Sequence, residues 1–231
     1  MGKNFSEVYQ MNNTQLSIKA WKIIEKLAKS EIGSYVDTSL APPDPFRGKG
    51  KIRLIILGQD PTVHDPEYRK KIKVALLLNQ PGGLRTYLGK VCNALDIDLD
   101  ENIYATNLLK NFFTVPPDKL RKKDPQFFRK AADHWIPLLG EEIEEFENVP
   151  VLPLGEPVLN CLTKGPERVL IRYFWDYEGP AQYGRNFGCI KPTDNVLSRV
   201  IFPFPHIPGL KHKFYRQQMD GYLAFMKEYV N

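Results

Sequence analysis

The feature that most restricts how this chain folds is a short run, Ile52-Arg53-Leu54-Ile55-Ile56-Leu57, closed by Gly58. A strand with one wet face alternates apolar and polar residues, whereas one covered on both faces is apolar almost throughout. This run is of the second kind and predicts a parallel sheet with helices on either side. Three further runs have the same character: Ile103-Tyr104-Ala105-Thr106, residues 149–154 and residues 200–202. The stretches between them carry apolar residues at helical spacing, in 84–94 and in 125–146, the latter through Trp135, Leu138, Leu139, Ile143 and Phe146. The C-terminal stretch places Phe214, Tyr222, Phe225, Met226 and Tyr229 on one stripe, which reads as core packing. Ahead of the first strand, Leu16, Trp21, Ile24, Leu27 and Ile32 predict a helix within 13–34, and Ala41-Pro42-Pro43-Asp44-Pro45 forbids its continuation. The aromatic, β-branched run 169–177 reads as an added edge strand or hairpin. The expectation is an α/β fold: a three-layer α/β/α sandwich around a central, mainly parallel four-stranded sheet. It spans 1–231 as a single domain, with 1–45 as an N-terminal helical extension.

Composition narrows the function classes. With 42% hydrophobic and 26% charged residues in 231, a disordered or fibrous chain is excluded. No run approaches the roughly 18 apolar residues of a membrane span, and the first ten residues lack a secretory hydrophobic stretch. A soluble, unanchored cytoplasmic protein with no membrane partner is expected. The net charge of +5 permits a polyanionic partner without requiring one. Cys92, Cys161 and Cys189 are odd in number and widely spaced, with no C-x-x-C, which argues against a disulfide scaffold or a zinc ribbon. Three buried thiols are expected, and no metal site.

In open α/β sheets, ligands bind beyond the carboxyl ends of the strands. The first strand is followed there by Gly58-Gln59-Asp60-Pro61-Thr62-Val63-His64, the second by Asn107-Leu108-Leu109-Lys110, and the third by Gly155-Glu156-Pro157. The last is followed by Pro203-Phe204-Pro205-His206-Ile207-Pro208-Gly209-Leu210. An Asp, an Asn and a His thus fall on one rim. Each has a plain structural use as well. Asp-Pro is a common turn pair, Asn107 is suited to capping, and His206 to satisfying a loop carbonyl. Gly155-Glu156-Pro157 is suited to opening a helix.

Taken together, Gly58-Gln59-Asp60-Pro61, Asn107 and the late His206 resemble the uracil-DNA glycosylase superfamily, over roughly residues 52–210 including the order of elements. Gly58-Gln59-Asp60-Pro61 is similar to the first half of the GQDPYH motif of the main uracil-removing branch. His206-Ile207-Pro208-Gly209-Leu210 stands in the place of its HPSPL loop. Pro81-Gly82-Gly83-Leu84 stands in the place of a Pro/Ser-rich segment that pinches the damaged strand's phosphates. The resemblance implies a DNA glycosylase of base excision repair, acting on a base rotated out of the helix. Asp60 would position a water and stabilise the oxocarbenium-like sugar, and His206 would donate to the base's O2 as negative charge grows there. Gly58, Gln59, Pro61, Thr62, Asn107 and Leu76 would line the substrate pocket, with the Asn107 amide matching the imide edge of uracil. Leu210 would be the wedge entering the vacated stack.

The sequence also departs from that branch. Thr62 stands where the Tyr that guards against thymine's methyl group would be, and the stacking Phe falls near Leu76 or Leu77. The Ser of HPSPL is replaced by Pro208 or Gly209, and the four cysteines of the iron–sulfur branch are absent, so no cluster or other cofactor is expected. Basic residues cluster in Lys119-Leu120-Arg121-Lys122-Lys123 and in Lys211, His212, Lys213 and Arg216. With Pro81, Gly82, Gly83, Gly209 and Leu210, Lys211 and Lys213 form the expected DNA-binding face of a monomer. Two other readings stand beside the enzyme: a catalytically silent DNA- or partner-binding protein of the same fold, and an unrelated α/β hydrolase or nucleotide enzyme, for which neither a phosphate-binding glycine fingerprint nor a metal-ligand cluster is present.

Overall fold

The computed structural model describes residues 13–122, 124–165, 168–176 and 186–230. The protein is a mixed α/β fold whose principal sheet has four strands. Strand β3 (Leu54–Gly58) lies at its centre, with every residue buried. It pairs in parallel with β4 (Ile103–Asn107) on one side and with β6 (Val151–Pro153) on the other. The edge strand β2 (Phe46–Arg47) runs antiparallel to β4, giving the order β2-β4-β3-β6. The apolar character of β3 and of Ile103–Ala105 in β4 follows from this central placement.

The predicted strand at 200–202 runs parallel to β6 but is held by isolated bridges, Val151 with Ile201 and Leu154 with Phe204. Pro153 supplies the reason. Val151 N donates to Val200 O and Gly155 N to Phe204 O, both at 2.8–2.9 Å, and the residue midway between these donors has no N–H to give. The ladder therefore loses the rung that would have made it a regular strand.

A second sheet is a two-stranded antiparallel pair, β1 (Val36–Asp37) with β5 (Phe112–Phe113). Helix α1 (Asn13–Ala28) packs on α6 (Phe127–Ile143), and α3 (Gly83–Ala94) on α8 (Lys213–Val230). The first helix stops earlier than its apolar spacing predicts: the chain passes into a short 3-10 turn at Gly33–Tyr35. The predicted core of α6 is buried throughout, with Trp135 and Leu139 fully enclosed. Of the C-terminal stripe, Tyr222 and Met226 are core while Tyr229 is 45% exposed.

Among the described residues, the expected edge strand or hairpin at 169–177 is not a regular strand. Ile171–Phe174 is a 3-10 turn, and an antiparallel bridge joins Trp175 to Phe187; Tyr177 lies outside the described residues. The apolar residues that suggested a strand are spent on packing instead. Trp175 is fully buried, stacks on Tyr222 with ring centroids 4.2 Å apart, and donates its indole N–H to Pro203 O at 2.7 Å. Cys92 and Cys161 are buried and Cys189 is half-buried; all three are free, and burial pushes the first two thiols up to about 12. Among the described residues, no helix is long and apolar enough to cross a membrane.

Candidate active site

Parallel pairing sets the carboxyl ends of the strands abreast. Gly58 is the register partner of Asn107. Leu154 N donates to Leu57 O, and Gly155 N to Phe204 O. Asp60 lies three residues beyond Leu57 and His206 two beyond Phe204, so the rim carries Asn107, Asp60 and His206 in that spatial order. A methyl added at Gly155 would lie 3.6 Å from His206 Cβ, which fixes how close the third and fourth strand ends come.

Asp60 is half-buried with both oxygens engaged. Oδ1 accepts from Thr62 N at 2.8 Å, the turn bond expected of an Asp-Pro-Thr corner, and Oδ2 accepts from Gln59 Nε2 at 2.9 Å. These bonds favour the carboxylate, but burial outweighs them and raises the carboxyl from 3.8 to about 6. Pro61 is buried. Thr62 Oγ1 accepts from Phe113 N at 2.9 Å, tying the loop to β5, and its hydroxyl also bonds the Asp60 carboxylate. Arg69, at the end of α2 (Pro66–Arg69), completes that tie from a 5% exposed position, donating to Val63 O, Phe113 O and Thr114 O at 2.7–3.0 Å.

Asn107 is 2% exposed, and its Oδ1 is buried with no hydrogen-bond partner among the described residues. An orphaned buried acceptor forfeits roughly 1–3 kcal/mol, so it marks either strain or a site. It lies against Gly58, where a Cβ would collide with both Asn107 Oδ1 and Leu76 Cδ2. Glycine at 58 is therefore demanded by close approach. Leu76 and its neighbour Leu77 both adopt left-handed backbone angles, φ 57° and 56°, at a cost of about 1–2 kcal/mol each. The strained turn Ala75–Leu77 thus delivers an aliphatic side chain over Gly58, where the resemblance implies an aromatic ring.

His206 is exposed as a residue, yet its ring is sheltered enough that desolvation lowers its pKa below 6.5, favouring neutral imidazole at pH 7. The loop before it is anchored twice. Trp175 holds Pro203 O, and Tyr87, from α3, donates to Pro205 O at 3.2 Å. Beyond His206 the chain forms a 3-10 turn, Ile207–Lys211, in which Gly209 N donates to His206 O at 2.7 Å. The side chain of Leu210, the expected wedge, lies outside the described residues. Lys211 and Lys213 are exposed directly after it. Pro81, Gly82 and Gly83 are exposed at the start of α3, and a Cβ at either glycine would meet nothing. Packing within the chain does not demand glycine there. Lys119 and Lys122 are exposed, whereas Lys123 lies outside the described residues.

A separate hollow of about 740 Å³ opens between the start of α6 and helix α7 (Glu156–Leu162), lined by Gln126, Arg129, Glu156, Asn160 and Arg168 among others. Arg168 pairs with Glu156 at 2.7 Å. Glu156 borders this hollow, beside the His206 strand end. Among the described residues no group of three or more His, Cys, Asp or Glu is placed to hold a metal ion.

Sequence reasoning missed the residues that hold the site from behind: Arg69, Tyr87, Trp175 and, above all, Lys110 and Glu142. Lys110 was in view as part of the segment after the second strand, but nothing in the spacing says that a lysine and a glutamate 32 positions apart are both buried. Comparison with known protein families finds no matching family model, and no curated protein matches the chain.

Proposed function

We propose that the protein is a uracil-DNA glycosylase-like hydrolase that releases uracil or a related damaged base from DNA. The observation that carries this reading is the rim itself. A carboxyl raised to about 6 at Asp60, a neutral imidazole at His206 and an unpaired buried amide oxygen at Asn107 follow the ends of β3, of the bridged segment 201–204 and of β4 respectively. On this reading the domain spans 1–231 as a three-layer sandwich, with the 201–204 segment completing a mainly parallel sheet. The molecule works as a cytoplasmic monomer on DNA, with no cofactor.

The chemistry is a hydrolysis. The C1′–N1 bond breaks with its electron pair on the base, and the sugar becomes oxocarbenium-like. The Asp60 carboxylate, mostly ionised at pH 7, faces that positive charge; water adds at C1′ and loses its proton through Asp60 to solvent. The departing base carries negative charge at O2, where a neutral His206 N–H donates, and takes up a proton as it leaves. Asn107 Oδ1 lacks a donor, which the N3–H of uracil supplies and the unprotonated N3 of cytosine does not. For a base to reach it, Leu76 has to move off Gly58. Exposed Lys211 and Lys213, and the unobstructed backbone of Gly82 and Gly83, serve the phosphates, with Leu210 in the vacated stack.

One observation favours the silent binder instead: both oxygens of Asp60 are already bonded within the loop, and Leu76 fills the space above Gly58. The test is incubation with single- and double-stranded oligonucleotides holding one uracil, followed by alkali. Strand scission lost in Asp60→Asn and His206→Ala supports the enzyme. Salt-sensitive DNA binding, with no scission at uracil, hypoxanthine, xanthine or a thymine mismatch, supports the binder.

A further inference from the structure

Behind Asn107 lies a buried charged network that the chemistry above does not use. Lys110 and Glu142 are each 3% exposed, and Tyr104 is 4% exposed. Lys110 Nζ donates to Thr106 Oγ1 at 2.7 Å and to the main-chain oxygen of Asn107 at 3.3 Å. It stands 2.5 Å from Glu142 Oε2, an ion pair rather than an aligned hydrogen bond. Glu142 arrives from α6, and its other oxygen accepts from Tyr104 OH at 2.8 Å. Tyr104 and Thr106 both belong to β4, so the network begins and ends on the strand that carries Asn107.

Its placement is more informative than its energy. Removing two charges from water costs several kcal/mol each, and a buried pair is often no more stable than apolar side chains of the same volume. Apolar packing at 110 and 142 would therefore serve stability as well. What apolar packing does not supply is a donor for the Asn107 carbonyl. The antiparallel partner β2 reaches only as far as Ala105, so among the described residues no strand is paired with Asn107 on that side. On the other side, Leu108 N donates to Gly58 O at 2.9 Å. The peptide unit joining Asn107 to Leu108 is thus held at both ends, its C=O by Lys110 and its N–H by Gly58.

We propose that Lys110, held in place by Glu142, is a positioning residue that fixes the Asn107 peptide plane and so aims the Asn107 amide at its ligand. The proposal rests on the glycosylase reading for its catalytic consequence, but not for its structural one. Two orientations are fixed together. The peptide sets where the Asn107 Cα–Cβ bond points, and the close approach to Gly58 sets where Oδ1 lies along it. Misplacing a substrate-orienting group by about 1 Å costs on the order of 10²-fold in rate.

The test replaces the charged pair and its tyrosine by apolar residues, Lys110→Met with Glu142→Leu and Tyr104→Phe, so that no buried charge is stranded and only Thr106 Oγ1 and the Asn107 carbonyl lose the Lys110 donor. A purely structural role predicts a folded protein with wild-type kcat. The positioning role predicts a folded protein whose kcat on a uracil oligonucleotide falls by about 10²-fold while KM changes little, and whose preference for uracil over cytosine narrows. An independent readout is the Asn107 side-chain amide pair in a ¹⁵N spectrum, assigned by its loss in Asn107→Asp. It is expected to shift or broaden in the triple variant, and an unmoved signal would overturn the proposal. If the wild type cleaves no base, the glycosylase reading fails and this signal alone decides Lys110's role. If the triple variant does not fold, Lys110→Gln is measured in the same two ways, with the same expected and overturning results.

Discussion

The two ends of the rim are built on opposite terms. At the Asn107 end, backbone and side chain are enclosed, the following peptide is bonded on both sides, and three buried polar residues stand behind it. At the His206 end, the anchors stop at Pro203 and Pro205, and a 3-10 turn in which Ile207 and Gly209 are half-buried leads on to exposed Lys211 and Lys213. Reading a base by its hydrogen-bonding edge requires donors and acceptors that do not yield. Closing on a duplex requires a segment able to move, and such segments come from the sparsely packed part of a fold. Substitutions at the first end are therefore expected to act on stability and specificity together. At the second, they are expected to act on function with the fold left alone.

The largest effect falls at the enclosed end. Glu142→Ala strands the Lys110 ammonium in a 3% exposed position and removes the acceptor of Tyr104 OH. A loss of about 3–5 kcal/mol is expected, read as a lowered denaturation midpoint. A loss below 1 kcal/mol would show that the ammonium reaches water, and the contrast between the two ends would collapse.

Asp60 lies between the ends and reveals its cost through pH. A carboxyl held at about 6 instead of 3.8 is easier to protonate in the folded state. Its contribution to stability is fully present below pH 3.8 and is lost as pH rises through about 6, on the order of 3 kcal/mol by pH 7. Asp60→Asn keeps an acceptor for Thr62 N and removes that penalty. It is expected to gain about 2–3 kcal/mol at pH 8, to gain nothing at pH 3.5, and to abolish base release. Chemical denaturation at the two pH values checks the first part; a gain equal at both would place the cause elsewhere. If the protein releases a base as proposed, the same ionisation is expected to give that reaction an acid limb near pH 6.

How much of this was legible in the sequence differs element by element. The continuous apolar character of Leu54–Leu57 and of Ile103–Ala105 announces buried parallel strands because burial on both faces leaves no room for polar residues. The rim residues were readable for the same reason, since position after a parallel strand is a consequence of topology. The segment 169–177 misleads because Ile171, Phe174 and Trp175 suit a pleated surface as well as they suit a 3-10 turn packed on α8. Only the rest of the fold decides between these. Strand β2, two residues long, has too little pattern to read. Lys110 and Glu142 look like ordinary solvated charges, and their burial depends on α6 docking where it does, which no local spacing encodes.

Gly58→Ala probes the seam between floor and cover. The added methyl collides with Leu76 Cδ2 and Asn107 Oδ1, both ends of side chains, so the structure gives rather than breaks. About 1–3 kcal/mol of overpacking is expected, with base release lost because the methyl takes the space beside the amide oxygen. A thermal shift paired with the scission assay measures both. An active, unshifted variant would show that Gly58 is not under the pocket.

The smallest effect on stability, and the clearest on the partner, is expected at the open end. Lys211 and Lys213 are exposed, and their replacement by alanine should change stability by less than about 0.5 kcal/mol. If each neutralises one phosphate, the double variant binds DNA less tightly at every sequence, and the slope of log affinity against log salt becomes shallower by up to about 2. Binding isotherms over a series of salt concentrations separate this from a general loss of fold, because misfolding lowers affinity without changing the slope in this graded way. An unchanged slope would mean that phosphates do not pass this end of the rim. The strand would then have to cross elsewhere, leaving His206 without the duplex that the proposed function assigns to it.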